Sequence, residues 1–592
     1  MSIALRLPFA GAPRSAARPN QVVPEFEPWR ARLVLLGFAL LLLTLVARAF
    51  YLQVFDHDFL ISEGTKRHIR TLTVPGGRGA ILDRNGTPLA LSAPVESVWA
   101  VPAELLGARE QLPKLAKLLG LNPRELKKHL EARADKGFLY LKRQMNPGDA
   151  ARVLALGLPG VFTQREYRRY YPAGEAAAQL VGLTDIDMNG QEGLELALEA
   201  QLRGEDGSRR VIKDRVGRVV EDLEQYRQPQ PGADVRLSID LRLQHLAYRE
   251  LKSAVIEQRA EGGVVVLLDP HNGEVLALAS DPSFNPNRRE AVEPAAMRQR
   301  AVTDLFEPGS TIKPLVVGAG IEAGLYRPSS VISTEHGRWR VGRLLVKDVH
   351  DYGDVDLTTL LMKSSNVGAA KIGMQLGAQR LWQAYRGYGI GQPTGSDFPG
   401  EVQGVLRPAK QWGQIATATS SYGYGFSLNA LQLARAYSAL AADGLLPAVT
   451  LVKRDGQVLA ERPRALSVST ARELRRMLET VISPKGTARR AAVEGYRIAG
   501  KTGTVHKVAP GGGYLGRSYQ SLFVGMVPAE RPRLVAVIMI DEPNAGQHYG
   551  GAVAAPVFAK IMQRALRAMR VPPEMPVSTV TAAKPLPPEA RI

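Results

Sequence analysis

The chain has 592 residues, of which 45% are hydrophobic, 22% are charged and none is cysteine. That balance describes a folded chain of several domains and excludes a disordered polymer, a disulfide framework, cysteine-ligated zinc, iron–sulfur clusters and a cysteine nucleophile. Lys and Arg number 76 against 57 Asp and Glu, a net charge of +19; this surplus suits an anionic polymer or lipid, and with no RNA-recognition signature, zinc-finger spacing or long basic tract the reading turns away from nucleic acid.

Leu33 to Ala47 reads LVLLGFALLLLTLVA, and after Arg48 the apolar character resumes. A bilayer span needs about 20 residues, which Leu33 to Val54 supplies if Arg48 snorkels to the interface. We place a transmembrane helix over residues 31–55. Arg6, Arg14, Arg18, Arg30 and Arg32 precede it, so the positive-inside rule keeps the arm of residues 1–30 in the cytoplasm and exports everything after Val54. The competing reading is a signal peptide cleaved at Ala47-Arg48-Ala49; such peptides usually run about 15–30 residues, and this one would be far longer.

Residues 56–234 mix short strands, Gly-rich turns and amphipathic helices at Pro113 to Leu119 and Pro123 to Arg133. Arg78 to Gly86 reads as a strand entering an Asn-Gly hairpin. The RQPQPG stretch, Arg227 to Gly232, marks a boundary before a strand that opens at Val235. Residues 235–570 carry β-rich runs at Gly263 to Asp269 and Glu274 to Ser280, joined by a tight turn. Helical patterns follow at Thr311 to Ala323, Leu357 to Gln375 and Leu428 to Ala442, and strands return at Tyr519 to Met526 and Arg533 to Ile540. Strands, helices, then strands predict an α/β (α+β) body with a mostly antiparallel sheet flanked by helices. Residues 571–592 read as a Pro-rich disordered tail.

Chemistry concentrates in the second half. Glu307-Pro308-Gly309-Ser310-Thr311-Ile312-Lys313-Pro314 holds S-x-x-K at a helix start, which puts Ser310 and Lys313 on one face. A serine hydroxyl becomes a nucleophile when a neutral, partly buried lysine takes its proton, and a helix N-terminus offers donors where an oxyanion would form. Alone, the pattern favours an ordinary N-cap serine with an exposed lysine one turn on. Ser364-Ser365-Asn366 adds S-x-N in a helical region, and Lys501-Thr502-Gly503-Thr504 adds K-T-G-T ahead of two strands. The three occur in the order of the penicillin-recognising serine acyltransferases.

The chain resembles a class B penicillin-binding protein, most closely the division-specific FtsI type (penicillin-binding protein 3) of Gram-negative bacteria. The resemblance runs from the membrane span to about Arg570. It rests on Arg78 to Arg84 (RGAILDR), Tyr171 to Glu175 (YPAGE), Gly190 to Glu195 (GQEGLE), Lys213 to Arg218 (KDRVGR), the three motifs, Tyr422 to Gly425 (YGYG) and Tyr549 to Val553 (YGGAV). One departure is Gln179, where the family pattern has histidine, and it puts a structural contact of the first half in doubt.

The resemblance implies an elongated non-catalytic pedestal, dimerisation-like in type, ahead of the transpeptidase domain, and a D,D-transpeptidase that cross-links stem peptides ending in D-Ala-D-Ala. Ser310 would be acylated, Lys313 would be its base, Ser364 would relay a proton to the leaving amine, and Asn366 would orient Lys313. Lys501, Thr502, Gly503 and Thr504 would bind the substrate carboxylate, with Lys501 charged at an open strand edge, and the N–H groups of Ser310 and Thr504 would form the oxyanion hole. It implies β-lactams as acylating ligands, a membrane glycosyltransferase and divisome proteins as partners, the inner membrane at the septum as location, and no cofactor. An elongation-specific relative, a D,D-carboxypeptidase and a non-catalytic β-lactam sensor or divisome scaffold are the alternatives.

Two lookalikes carry other chemistry. Gly495 to Thr502 spells G-x-x-x-x-G-K-T, but a phosphate-binding loop must open a helix, and Val505 to Gly513 is no helix. Asp348 to Asp356 is rich in carboxylates without the EF-hand pattern, and reads as a loop supplying negative charge to a helix start. No histidine cluster has metal-ligand spacing, so no metal is implied.

Overall fold

Pro28–Val54 forms one helix, α1, with a mean hydropathy of 2.5 over its most apolar 18 residues and no residue buried against protein. Among the described residues it is the one helix long and apolar enough to cross a membrane. Within the apolar run, the Thr44 hydroxyl donates to Leu40 O at 2.7 Å, so the helix itself satisfies it. The computed structural model describes residues 28–59, 69–213, 219–288, 292–454, 462–509 and 511–576. Arg6, Arg14, Arg18 and the Asp214 to Arg218 part of the KDRVGR phrase lie outside the described residues.

Residues 1–72 with 209–226 make one unit, and residues 73–208 with 227–592 make another. The first holds α1 and most of a three-stranded sheet of Ile69–Val74, Gly207–Lys213 and Val219–Arg227. In the second, the predicted Asn-Gly hairpin joins β1 (Ile81–Leu82) to β2 (Pro88–Ala100). Asp83 Oδ1 tightens it by accepting from the N–H groups of Asn85 and Thr87, both at 2.8 Å. β3 (Leu139–Met145) and β4 (Val161–Tyr170) both pair antiparallel with β2. The two predicted helices are present as Leu112–Leu119, ended by Gly120 in the left-handed region, and Pro123–Glu131, capped by the Asn122 side chain.

The strand expected to open the second half instead completes the first. β5 is only Val235–Arg236 and pairs parallel with β1, Ile81 opposite Val235, a long-range pairing that local composition cannot reveal. The RGAILDR and GQEGLE phrases of this half meet in a buried ion cluster: Glu195 accepts from Arg78 at 2.7 Å and from Arg169 at 2.6 Å, and Arg78 reaches Glu199 at 2.6 Å. Such charges persist in the interior only as a matched set. Gln179 is fully engaged: its amide donates to Pro282 O at 2.8 Å and Ala296 O at 2.9 Å and accepts from Ser283 Oγ at 3.1 Å. A neutral histidine has one N–H and could serve one of the two carbonyls.

The second half is built on a five-stranded, wholly antiparallel sheet. Its order is β7 (Val275–Asp281), β6 (Gly262–Leu268), β10 (Leu534–Asp541), β9 (Tyr514–Val527) and β8 (Ala499–Val508). β6, β7 and β10 are buried at every residue, because helices cover both faces. α2 (Leu241–Gln258) and α8 (Gly550–Ala568) pack against each other and the sheet, and α6 (Ala430–Ala441) lies on β6 and β10. The Val264-Val265-Val266 run is what a both-sides-buried strand requires.

Two helical expectations change. Thr311 to Ala323 becomes a 3-10 turn, Gly309–Ile312, leading into α3 (Lys313–Glu322), because Pro308 and a left-handed Gly309 tighten the entry. Leu357 to Gln375 is two helices, α4 (Leu357–Lys363) and α5 (Asn366–Gly387), broken at Ser364, whose φ is +64°. The tail is not free from its start. Val571 is buried and its carbonyl accepts from Tyr496 OH at 2.7 Å, and the Glu574 and Met575 N–H groups donate to Gly495 O. Residues 577–592 lie outside the described residues.

Candidate active site

The break at Ser364 is the local fact from which the site is built. A non-glycine residue in the left-handed region is held there by its surroundings. Asp348 supplies the hold: its carboxylate accepts from the N–H groups of Asn366 at 2.5 Å and Val367 at 3.0 Å and from Ser365 Oγ at 2.6 Å, while Ser365 Oγ accepts from Gly368 N at 2.9 Å. It thereby starts α5 two residues beyond the break, with Ser365 as the N-cap. Asp356 does the same for α4, accepting from Thr359 N at 2.7 Å. The carboxylate-rich loop thus serves as helix-start charge, as its position in the sequence suggests.

Opposite the break stands the 3-10 turn that carries Ser310. The Gly309 N–H donates to Gly423 O at 3.0 Å, and a Cβ at Gly423 would lie 2.1 Å from Gly309 O, which explains the glycine in YGYG. On the other side, β8 lies against the turn: a Cβ at Gly503 would meet Thr311 Cγ2 at 2.9 Å, so K-T-G-T needs its glycine for this approach. The Gly550 N–H donates to Thr504 Oγ1 at 3.0 Å, tying the YGGAV phrase to the same strand. Thr502 Oγ1 pairs with Thr487 Oγ1 at 3.0 Å.

These elements bring Lys313, Ser364, Asn366 and Lys501 together. Lys313 is fully buried; its Nζ donates to Ser364 O at 2.6 Å and Asn366 Oδ1 at 2.7 Å and lies 3.2 Å from Ser364 Oγ. Asn366 is held in turn, its Nδ2 donating to Lys347 O at 2.8 Å. Lys501 Nζ lies 3.0 Å from the same Ser364 Oγ and 3.2 Å from Thr502 O. One hydroxyl therefore bridges two lysine amines.

Electrostatics follow from burial. Desolvation, then the nearby Lys501 charge, depress the Lys313 amine well below the ordinary lysine range, and Asp348 opposes them weakly. Lys501 corrects the expectation of a permanently charged lysine at an open edge. β8 is an edge strand, but the side chain is fully buried, and desolvation lowers its pKa to about 7. A neutral Lys313 has two N–H donors, which Ser364 O and Asn366 Oδ1 take, and a lone pair left over to accept a hydroxyl proton.

Sequence reading missed Glu307, although it lies in the quoted motif. Its buried carboxylate accepts from Gly425 N at 2.7 Å and Tyr514 OH at 3.0 Å, linking the nucleophile turn, the YGYG loop and β9, and burial raises its pKa. Tyr514, far off in sequence, gave no local signal. The phosphate-loop lookalike is excluded by geometry, since Lys501 to Thr504 form strand β8, paired with β9 from Val524 to Ser521.

Comparison with known proteins bears on this arrangement. Residues 263–563 match the penicillin binding protein transpeptidase domain, over half of the chain. The chain belongs to that family. Residues 73–237 match the penicillin-binding protein dimerisation domain, and the two domains in this order make it a class B penicillin-binding protein of the type-3 kind. It is 41% identical over 578 residues, 97% of this chain and 98% of the relative, to a probable peptidoglycan D,D-transpeptidase PenA of Neisseria meningitidis. It is 41% identical over 555 residues, 93% of each chain, to the peptidoglycan D,D-transpeptidase FtsI of Escherichia coli K12. Among solved structures, the apo transpeptidase domain of Burkholderia pseudomallei penicillin-binding protein 3 superposes with a TM-score of 0.53 at 42% identity, covering 57% of this chain and 98% of that one.

Proposed function

We propose that the chain is a peptidoglycan D,D-transpeptidase that cross-links stem peptides at the division septum through an acyl-enzyme on Ser310. The observation that carries the reading is the Ser364 hydroxyl held between two buried lysine amines, beside the turn that bears Ser310.

In this mechanism the lone pair of neutral Lys313 takes the Ser310 hydroxyl proton as Oγ attacks the penultimate D-Ala carbonyl. The Ser310 and Thr504 N–H groups stabilise the resulting oxyanion. Collapse breaks the amide bond, and the leaving D-Ala nitrogen takes a proton relayed from Lys313 through Ser364 Oγ, which touches both lysines. An amine of a second wall strand then attacks the acyl-enzyme, its proton returns by the same route, and Ser310 is regenerated. Asn366 fixes the Lys313 amine, and Thr502 and Thr504 join Lys501 at the terminal carboxylate. An arriving carboxylate favours the charged form of Lys501, so substrate binding itself restores the cation that burial weakens.

In this reading α1 anchors the enzyme in the inner membrane with its N-terminus in the cytoplasm, the non-catalytic residues 56–234 and the catalytic residues 235–570 lie in the periplasm, and a membrane glycosyltransferase and other division proteins act beside it. The 27-residue apolar helix and the similarity to FtsI support it. Labelled benzylpenicillin followed by peptide mapping tests the nucleophile: an adduct on Ser310 is expected, and an adduct elsewhere or none refutes it. A fluorescent fusion tests the site of action; midcell enrichment is expected, and a lateral-wall pattern would assign the enzyme to elongation.

A further inference from the structure

A cleft of about 1080 Å³ opens where the C-terminal ends of α6 and α7 (Val468–Glu479) meet the β6–β7 and β9–β10 turns. Seven arginines line it against four carboxylates. Some of this charge is spent within the fold. Arg475, buried at the floor, donates to Leu440 O at 2.7 Å and pairs with Asp443 at 2.9 Å, Arg472 pairs with Asp443 at 2.8 Å, and Arg497 grips Glu479 at 2.7 and 2.9 Å. Arg476, Arg531 and Arg533 are exposed on the walls and make no ion pair among the described residues. The cleft is thus a roomy concavity with a fixed, paired floor and a rim of unneutralised guanidinium groups. Guanidinium presents paired donors that fit a carboxylate bidentately.

The position matters as much as the charge. Arg497 precedes Lys501 by four residues, so the cleft begins within about 14 Å of the K-T-G-T lysine along the chain. Yet no residue of the acylation machinery lines it, so a ligand here leaves Ser310 free. A cross-linking enzyme must hold two polymeric strands, and every uncross-linked stem peptide ends in a carboxylate. Several weak carboxylate contacts on one polymer add through effective concentration, which suits a cleft with several separate cations.

We propose that this cleft is an exosite for the carboxylates of uncross-linked peptidoglycan, holding a strand apart from the donor peptide in the active site. The inference rests on the peptidoglycan reading above. It is tested with the full-length chain in detergent, its Ser310 first acylated by benzylpenicillin, by fluorescence anisotropy with labelled, uncross-linked glycan strands carrying pentapeptide stems. Binding is expected to persist on the acylated enzyme, to weaken as salt rises, and to fall about tenfold in a combined Arg476→Ala, Arg531→Ala, Arg533→Ala variant whose penicillin acylation rate is unchanged. Strands stripped of their stem peptides by an amidase are expected not to bind. The proposal is overturned if acylated wild-type enzyme fails to bind strands, if the triple variant binds as wild type, if stripped strands bind equally, or if an acidic polypeptide outcompetes the strands for the cleft. Failure of penicillin to acylate Ser310 would instead refute the functional reading beneath it.

Discussion

Replacing Lys501 by methionine removes one of the two amines that share the Ser364 hydroxyl while keeping most of the buried volume. Nζ of Lys313 and Nζ of Lys501 lie 3.2 and 3.0 Å from that oxygen, so they are at most about 6 Å apart. Two unit charges at that separation repel by about 3 kcal/mol at an effective dielectric near 20, which is on the order of a hundredfold in a protonation equilibrium. In the wild type, Lys313 must be neutral and Lys501 charged for productive encounter, so the second-order rate of β-lactam acylation should rise as Lys313 loses its proton and fall as Lys501 loses its own near pH 7. Without Lys501 the repulsion is gone and Lys313 holds its proton to higher pH. The ascending limb should therefore move up in pH, the descending limb near 7 should vanish, and the maximum rate should drop about a hundredfold for the lost carboxylate contact. Stopped-flow acylation with a chromogenic cephalosporin across pH reads all three. An ascending limb that stays in place, or a descending limb near 7 that survives the substitution, would refute the coupling.

Lys313→Arg should abolish acylation, by more than about 10³-fold, because guanidinium keeps its charge and cannot accept the Ser310 proton; the same chromogenic assay reads it. Asp348→Ala leaves the N–H groups of Asn366 and Val367 and the Ser365 hydroxyl without their acceptor. It should cost about 1–3 kcal/mol of stability by thermal denaturation and slow acylation at least tenfold, since the Ser364 break loses its brace. Gly423→Ala places a methyl group 2.1 Å from Gly309 O at a residue whose φ is +92°. It should displace the nucleophile turn and lower acylation about a hundredfold, with circular dichroism close to that of the wild type.

What could be read from the sequence divides along physical lines. Spacing singles out Ser310, Lys313, Ser364, Asn366 and Lys501 as candidates, because the chemistry needs those residue types in that order, and the fold brings the last four together. The strands of the large sheet are legible where Val and Ile run together, as at Val264 to Leu268, since a strand buried on both faces tolerates little else. The break at Ser364 is not legible: Lys363, Ser364 and Ser365 sit inside a helical pattern, and the carboxylate that starts the second helix comes from Asp348, 18 residues ahead of Asn366. Nor is the burial of Lys501, because a sequence marks an edge strand without showing what closes over its side chains. β5 fails for the same reason, as two residues cannot announce a parallel partner more than 150 positions away. Glu307 stood in a quoted motif but its partners, Gly425 and Tyr514, come together only in the fold.

The central claim is that Ser310 carries a peptidyl group from one wall strand to another. It is tested most directly by incubating the full-length enzyme with uncross-linked glycan strands bearing D-Ala-D-Ala stems, and following D-Ala release, cross-linked product and enzyme mass together. The account predicts one D-Ala released per cross-link formed, a transient adduct on Ser310 equal to the stem-bearing fragment less one D-Ala, and loss of all three signals in Ser310→Ala. D-Ala release without cross-links would mark a carboxypeptidase, and cross-linking that survives Ser310→Ala would contradict the account outright.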